Sequence, residues 1–172
     1  MKKNSIRILP GQKSWQEYGR PNLAEVPDHF RIRQPAILIA GRSLDEALQI
    51  LTNAVGISPT NLMRIVETPV EKVILQRKLL EHVAVKRTDA REQFGNFLLP
   101  TLTDPYEVWL TRYQDGYRTQ YIGLFQGHRD MLAIVQVTQE KNLFWNLIRA
   151  RSRYMDSRRV GTLIYTKEKV GG

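Results

Sequence analysis

Apolar residues recur every three or four positions in the first part of this 172-residue chain and every second position beyond Pro105, so helices are predicted first and strands after. Residues 1–35 precede both patterns. They carry Pro10, Gly11, Gly19, Pro21, Pro27 and Pro35 without a sustained period and predict an extended or partly ordered arm. GRSLDEALQILTNAVG, at 41–56, predicts the first helix. Ser43 is its N-cap, Glu46 is at the reciprocal capping position, Leu44, Ala47, Leu48 and Leu51 share a face, and Gly56 stops it. VETPVEKVILQ, at 66–76, is rich in β-branched residues around Pro69 and reads as one short edge strand. A second helix is expected from Arg77 to Phe97, striped by Leu79, Leu80, Val83, Ala90, Phe94 and Phe97 and loosened near Thr88. LLPTLTDP, with Pro100 and Pro105, reads as a loop.

Beyond it, EVWLTRY, YRTQYIGLF, DMLAIVQVT and NLFWNLIRA alternate or are dense in β-branched and aromatic residues. The turn signals QDG, QGHRD and QEKN separate them, which predicts an antiparallel meander. RYMDSRRVG reads as a turn or helical crossing, and GTLIYTK as a last strand. The fold class is α+β, with helices packed on one face of a curved antiparallel sheet. Two regions are expected, an N-terminal arm and helical appendage at 1–65 and a second domain at 66–172.

Composition changes the picture through charge. The hydrophobic fraction of 42% suffices for a core, and the chain has no cysteine for a disulfide framework or a thiol nucleophile. No apolar run approaches the ~18 residues of a membrane span, and the lysines of MKKNSIRILPG lead into no apolar region, so neither membrane association nor a Sec-type signal is expected. The net charge is +9, and the segment from Lys141 onward holds eight basic residues against two acids. Five of the eight, Arg149, Arg151, Arg153, Arg158 and Arg159, are arginines, whose planar fork suits phosphate oxygens, so a nucleic acid is the expected partner.

The chemistry follows from what is present and absent. His29, His82 and His128 show no metal-ligand spacing, and no nucleophile elbow, G-x-G-x-x-G or P-loop occurs, so no metal or cofactor is expected. EHVAVKRTDAREQF, at 81–94, instead puts His82 at helical spacing from Lys86 and, past the loosening, Arg91. Histidine, arginines, tyrosines and the carboxylate of Glu107 make up a set suited to metal-independent RNA cleavage. A base takes the 2′-OH proton, an acid protonates the leaving 5′-oxygen, and cations hold the phosphorane. Plainer roles stand beside these. His82 can be a helix-flank histidine, Arg91 and Glu107 a structural ion pair, Tyr121 and Tyr165 half-buried strand aromatics, Trp109 and Trp145 core residues, and His128 an exposed turn residue.

The run L-L-x-H, R-x-x-A-R, LLPTLTDPYEVWL, Y-R-T-Q-Y-I and Y-M-D-S-R-R-V-G-T-L-I-Y, from about Val66 to Lys167, resembles the phage barnase-EndoU-colicin-RelE-like nuclease domains of phage head-morphogenesis proteins and bacterial polymorphic toxins. The resemblance implies N-terminal helices on an antiparallel sheet of about four strands with the active face concave. It also implies a metal-independent ribonuclease, commonly against transfer RNA, that leaves a 2′,3′-cyclic phosphate. Carried over by position, the catalytic set is His82 for proton transfer, Arg91 and Arg159 on the phosphate, Glu107, and Tyr121 orienting substrate or sharing the proton. Lys86, Arg87 and Tyr165 follow as substrate contacts, joined by Arg149, Arg151 and Arg158 of the basic run. An acidic immunity or antitoxin protein is an expected partner, and the bacterial cytoplasm the expected place of action, reached as a toxin or by phage infection. A non-catalytic nucleic-acid-binding module and a phage head-associated structural protein are the alternatives.

Overall fold

The alternating stretches beyond Pro105 form the centre of one sheet in the computed structural model, which describes residues 6–85 and 89–168. The strands are β1 (Met63–Glu67), β2 (Lys72–Gln76), β3 (Glu107–Tyr113), β4 (Gly116–Gly123), β5 (Met131–Val137), β6 (Asn142–Arg149) and β7 (Thr162–Thr166). Their order is β1-β2-β6-β5-β4-β3-β7, antiparallel throughout except where β2 meets β6. The helices are α1 (Leu44–Val55), α2 (Arg77–Ala84), α3 (Gly95–Thr103) and α4 (Ser152–Arg158).

Both faces of the sheet are covered. On one, Leu48, Leu51, Leu80, Val83, Phe97 and Leu98 of α1–α3 meet Val73, Val108, Tyr121, Ala133, Val135 and Phe144. On the other, Leu23 and Val26 of the arm and Met155 of α4 meet Tyr106, Trp109, Ile122, Leu132 and Ile134. Successive residues such as Val108 and Trp109 are therefore buried on opposite sides, which is why the central strands read as dense apolar runs. The arm is extended with two short 3-10 turns, Leu23–Glu25 and Asp28–Phe30. Single bridges pin it at Ile8–Tyr113, Ser14–Val160 and Ile32–Phe125. Buried Arg31 pairs with Asp130 at 2.9 Å and donates to the carbonyls of Leu23, Val26 and Phe125.

The sheet has seven strands among the described residues rather than about four, and the helices are not all N-terminal. Part of the excess is the β1–β2 hairpin. The Thr68 hydroxyl accepts from the N–H groups of Val70 and Glu71 and donates to the Glu71 carbonyl, so VETPVEKVILQ doubles back instead of forming one strand. Four of the five β1 residues are exposed, so hydrophobic periodicity does not announce it. α4 escapes the helix-first order because it follows β6 and buries Met155 on the arm face. The helix expected over Arg77–Phe97 ends at Ala84. Ala90 is left-handed (φ 45°), which no right-handed helix continues through, and a 3-10 turn, Arg91–Phe94, leads into α3. α3 in turn absorbs Pro100, read as loop. It spans three further residues, with the Thr101 and Thr103 hydroxyls bonding back to the carbonyls of Phe97 and Leu99.

Candidate active site

β6 pairs with β2 only at Asn142 and Leu143, so the rest of that β6 edge borders α2 and the 3-10 turn instead of another strand. A cleft of about 370 Å³ opens where the 3-10 turn meets the end of β6 and the start of β5. Its apolar lining is Phe94, Met131, Leu147, Ile148 and Ala150. Its charged lining is Arg91, Arg149 and Arg151 against the single carboxylate of Asp89, with His128 beside them. Three guanidinium groups facing one carboxylate make a strongly cationic concavity.

Local structure explains each placement. The Met131–Arg149 register sets Arg149 at the end of β6, and its guanidinium lies over the Phe94 ring, 5.4 Å from the centroid. Arg151 is the N-cap residue of α4. Arg91 opens the 3-10 turn. It donates through Nη1 to Asn146 Oδ1 at 2.6 Å and through Nη2 to Asp89 Oδ2 at 3.2 Å. An irregularity in the β5–β6 register skips Trp145, so Trp145 and Asn146 both stand out of the regular alternation. The Trp145 ring lies 5.3 Å from that of His82, which is exposed on the last turn of α2. His128 is left-handed (φ 54°) and follows left-handed Gly127 in the loop between β4 and β5.

Arg91, Arg149 and Arg151 thus come together, whereas His82 does not line the cleft; its ring meets Trp145, the residue before Arg91's partner Asn146. The remaining candidates lie elsewhere. Glu107 and Arg159 are fully buried on the arm face, paired at 2.6 Å (Nε–Oε1) and 2.8 Å (Nη2–Oε2). Arg20 Nε reaches Glu107 Oε2 at 2.6 Å, Trp109 Nε1 donates to Oε1, and Asp156 takes a third donor of Arg159. Burial alone would raise the Glu107 pKa, but donors from Arg159, Arg20 and Trp109 outweigh it and hold the carboxyl below its ordinary range. The ion pair suggested between Arg91 and Glu107 is not formed. Arg91 stands across the sheet, with Asn146 and Asp89.

Tyr121 is enclosed in the helix-side core and donates to Glu71 Oε1 at 2.6 Å, with Thr68 Oγ1 at 2.9 Å. Burial and the neighbouring Glu71 charge push its phenol far above the ordinary tyrosine range. Burial also raises the Glu71 carboxyl, against the opposing hydrogen bonds of Tyr121 and Thr119. Tyr165 is half-buried against the same core. Arg158, on α4, donates to the hydroxyls of Tyr154 (2.7 Å) and Tyr113 (3.3 Å). Lys86 and Arg87 lie outside the described residues.

Sequence reading missed three cleft neighbours. Asn146 had a signal, a lone polar side chain inside the apolar NLFWNLIRA. Trp145 packs against the arm-face core as expected, though only half-buried, and its contact with the His82 ring was not foreseen. His128 is exposed in its turn, as expected, but proximity to the arginines arises only from folding. Among the described residues no group of three or more His, Asp or Glu side chains is placed to hold a metal ion, and no helix is long and apolar enough to cross a membrane.

An α+β fold with a guanidinium-rimmed cleft defines a protein suited to a polyanionic ligand. Residues 51–166, about two thirds of the chain, match the family described as phage-Barnase-EndoU-ColicinE5/D-RelE like nuclease 2, and the chain belongs to that nuclease family. No curated protein and no solved structure matches it.

Proposed function

We propose that this nuclease is a metal-independent endoribonuclease whose active site is the cleft between the 3-10 turn and β6. The observation that carries the reading is the convergence of Arg91, Arg149 and Arg151, with Arg91 oriented by Asn146, His128 beside them, and His82 packed on Trp145 next to Asn146. Guanidinium groups fixed before substrate arrives stabilise charge as it develops on a phosphorane without reorganising. RNA supplies its own nucleophile. His82 serves one of the two proton transfers as the P–O2′ bond forms and the P–O5′ bond breaks: a base takes the 2′-OH proton and an acid protonates the leaving 5′-oxygen. The products are a 2′,3′-cyclic phosphate and a 5′-hydroxyl. Arg91 and Arg149 hold the non-bridging oxygens.

Glu107 and Arg159 act from the opposite face as a tie between β3, the end of α4 and the arm, and Tyr121 as a tie between β4 and the β1–β2 turn. Transfer RNA is the favoured substrate, met in the bacterial cytoplasm after toxin delivery or phage infection. An acidic immunity or antitoxin protein would silence the enzyme by covering the cationic cleft, steered there by charge complementarity.

The test is total bacterial RNA incubated in EDTA with the parent chain, His82→Ala and Arg91→Ala, followed by end-group analysis. Discrete fragments with cyclic phosphate ends are expected from the parent. A loss of about 10²–10⁴-fold is expected for His82→Ala and about 10²–10³-fold for Arg91→Ala. Intact RNA bound in a salt-sensitive way by all three would reduce the protein to a binding module.

A further inference from the structure

α4 leaves the cleft at Arg151 and crosses the arm face of the sheet. One side of the helix is committed to the fold. Met155 is fully buried, Arg159 is paired with Glu107, and the Arg158 carbonyl accepts from Gln120 Nε2 at 2.8 Å. A second side carries Arg151, Tyr154 and Arg158 at i, i+3 and i+7, the spacing of side chains that share a helix face. Arg151 is exposed, and Tyr154 is 39% exposed despite its aromatic ring. The Arg158 guanidinium lies 4.8 Å from the Tyr154 ring centroid and donates to the Tyr154 hydroxyl. Arg153 adds a fourth exposed or partly exposed cation-bearing or aromatic position to the same short helix.

We propose that this face of α4 is a rail for single-stranded RNA, holding the nucleotides on one side of the scissile phosphate after the strand leaves the cleft. The proposal rests on the nuclease reading of the cleft and extends it to substrate length. Cations that take phosphates, interleaved with an aromatic ring that takes a base face, are the two components of sequence-tolerant single-strand binding. Duplex RNA would keep its bases stacked away from Tyr154, so the rail selects unpaired segments such as loops and tails. α4 adds about 10 Å to the contact path at 1.5 Å per residue, room for two or three nucleotides beyond those in the cleft. Arg158 is pre-positioned by the tyrosine hydroxyls, so it loses little rotamer freedom when a phosphate binds.

The experiment compares cleavage of an unstructured RNA of about 12 nucleotides, within the range that single-strand sites cover, with cleavage of a dinucleotide that occupies only the cleft. Tyr154→Ala is expected to lower the ratio of kcat/KM for long over short substrate by about 5- to 150-fold, the effect of one lost base–aromatic stack. Tyr154→Phe keeps the ring and is expected to retain most of that ratio, which guards against a general folding defect. An unchanged ratio in Tyr154→Ala, or an equal fall in Tyr154→Phe, overturns the rail. Fluorescence anisotropy of the same 12-nucleotide RNA on a His82→Ala background separates the two readings. Weaker binding after Tyr154→Ala without any cleavage by the parent would sustain the rail while removing the nuclease assignment, and equal binding would remove the rail alone.

Discussion

Glu107 and Arg159 show what a single residue contributes when it has no access to solvent. Each carboxylate oxygen of Glu107 accepts from Arg159, and Arg20 adds a second cation. Glu107→Gln would leave the buried Arg159 and the part-buried Arg20 guanidinium groups with only Asp156 and Glu168 as counter-charges. A loss of about 3 kcal/mol is expected, read as a lower denaturant midpoint at neutral pH. The acid limb carries the sign. Because the folded pKa of Glu107 lies below its unfolded value, its stabilisation is present above about pH 4.3 and lost as pH falls through the folded value. The Gln variant should therefore show a shallower loss of stability in acid. An unchanged acid limb would mean that Glu107 does not drive it. Glu107 was legible in the sequence as a conspicuous carboxylate beside Trp109, but its partner was not, since fifty-two positions separate it from Arg159.

At the scale of elements, the β1–β2 hairpin is fastened to the sheet by a polar contact that its own strands do not supply. Glu71, in the tight turn, meets Tyr121 and Thr119 of β4 although β6 and β5 intervene in the sheet, so the sheet curls strongly around the helix-side core. The raised Glu71 pKa means that its contribution to stability is full below the unfolded carboxylate value and is lost as pH rises through the folded one. Glu71→Gln keeps a hydrogen-bonding oxygen for Tyr121 without burying a charge. It should raise the thermal midpoint at neutral pH and give no gain in acid, and a lower midpoint at both would show that the charge itself holds the hairpin. α1 was readable to the residue, because Ser43 and Glu46 cap it locally. The break at Ala90 was not, since neither its left-handed backbone nor the continuation of α3 through Pro100 follows from an apolar stripe.

For the whole molecule, the net charge of +9 is distributed by the fold into distinct tasks. Arg31 and Arg159 are consumed by buried pairs, whereas Arg91, Arg149 and Arg151 face one cleft. Each phosphate neutralised on a single strand contributes a slope of about −0.7 to log K against log salt. Removing Arg149 or Arg151 should therefore flatten the salt dependence of RNA binding by about 0.7 each, measured by anisotropy from low to moderate salt. Arg31→Ala should leave that slope unchanged in whatever fraction stays folded. Equal slopes in all three would place the phosphates away from the cleft.

The sequence by itself determined the α+β class, the first helix, the meander from β3 to β6, the nuclease resemblance and the excess of arginine near the C-terminus. Those features are set by neighbouring residues, through period, capping and turn chemistry, or by composition. Only the tertiary structure decided which arginines are buried and which face the cleft, that Asn146 orients Arg91, that His128 approaches them, and that the arm closes the second face of the sheet. Each of these depends on contacts between segments distant along the chain, where burial and pairing, not local pattern, set the energy.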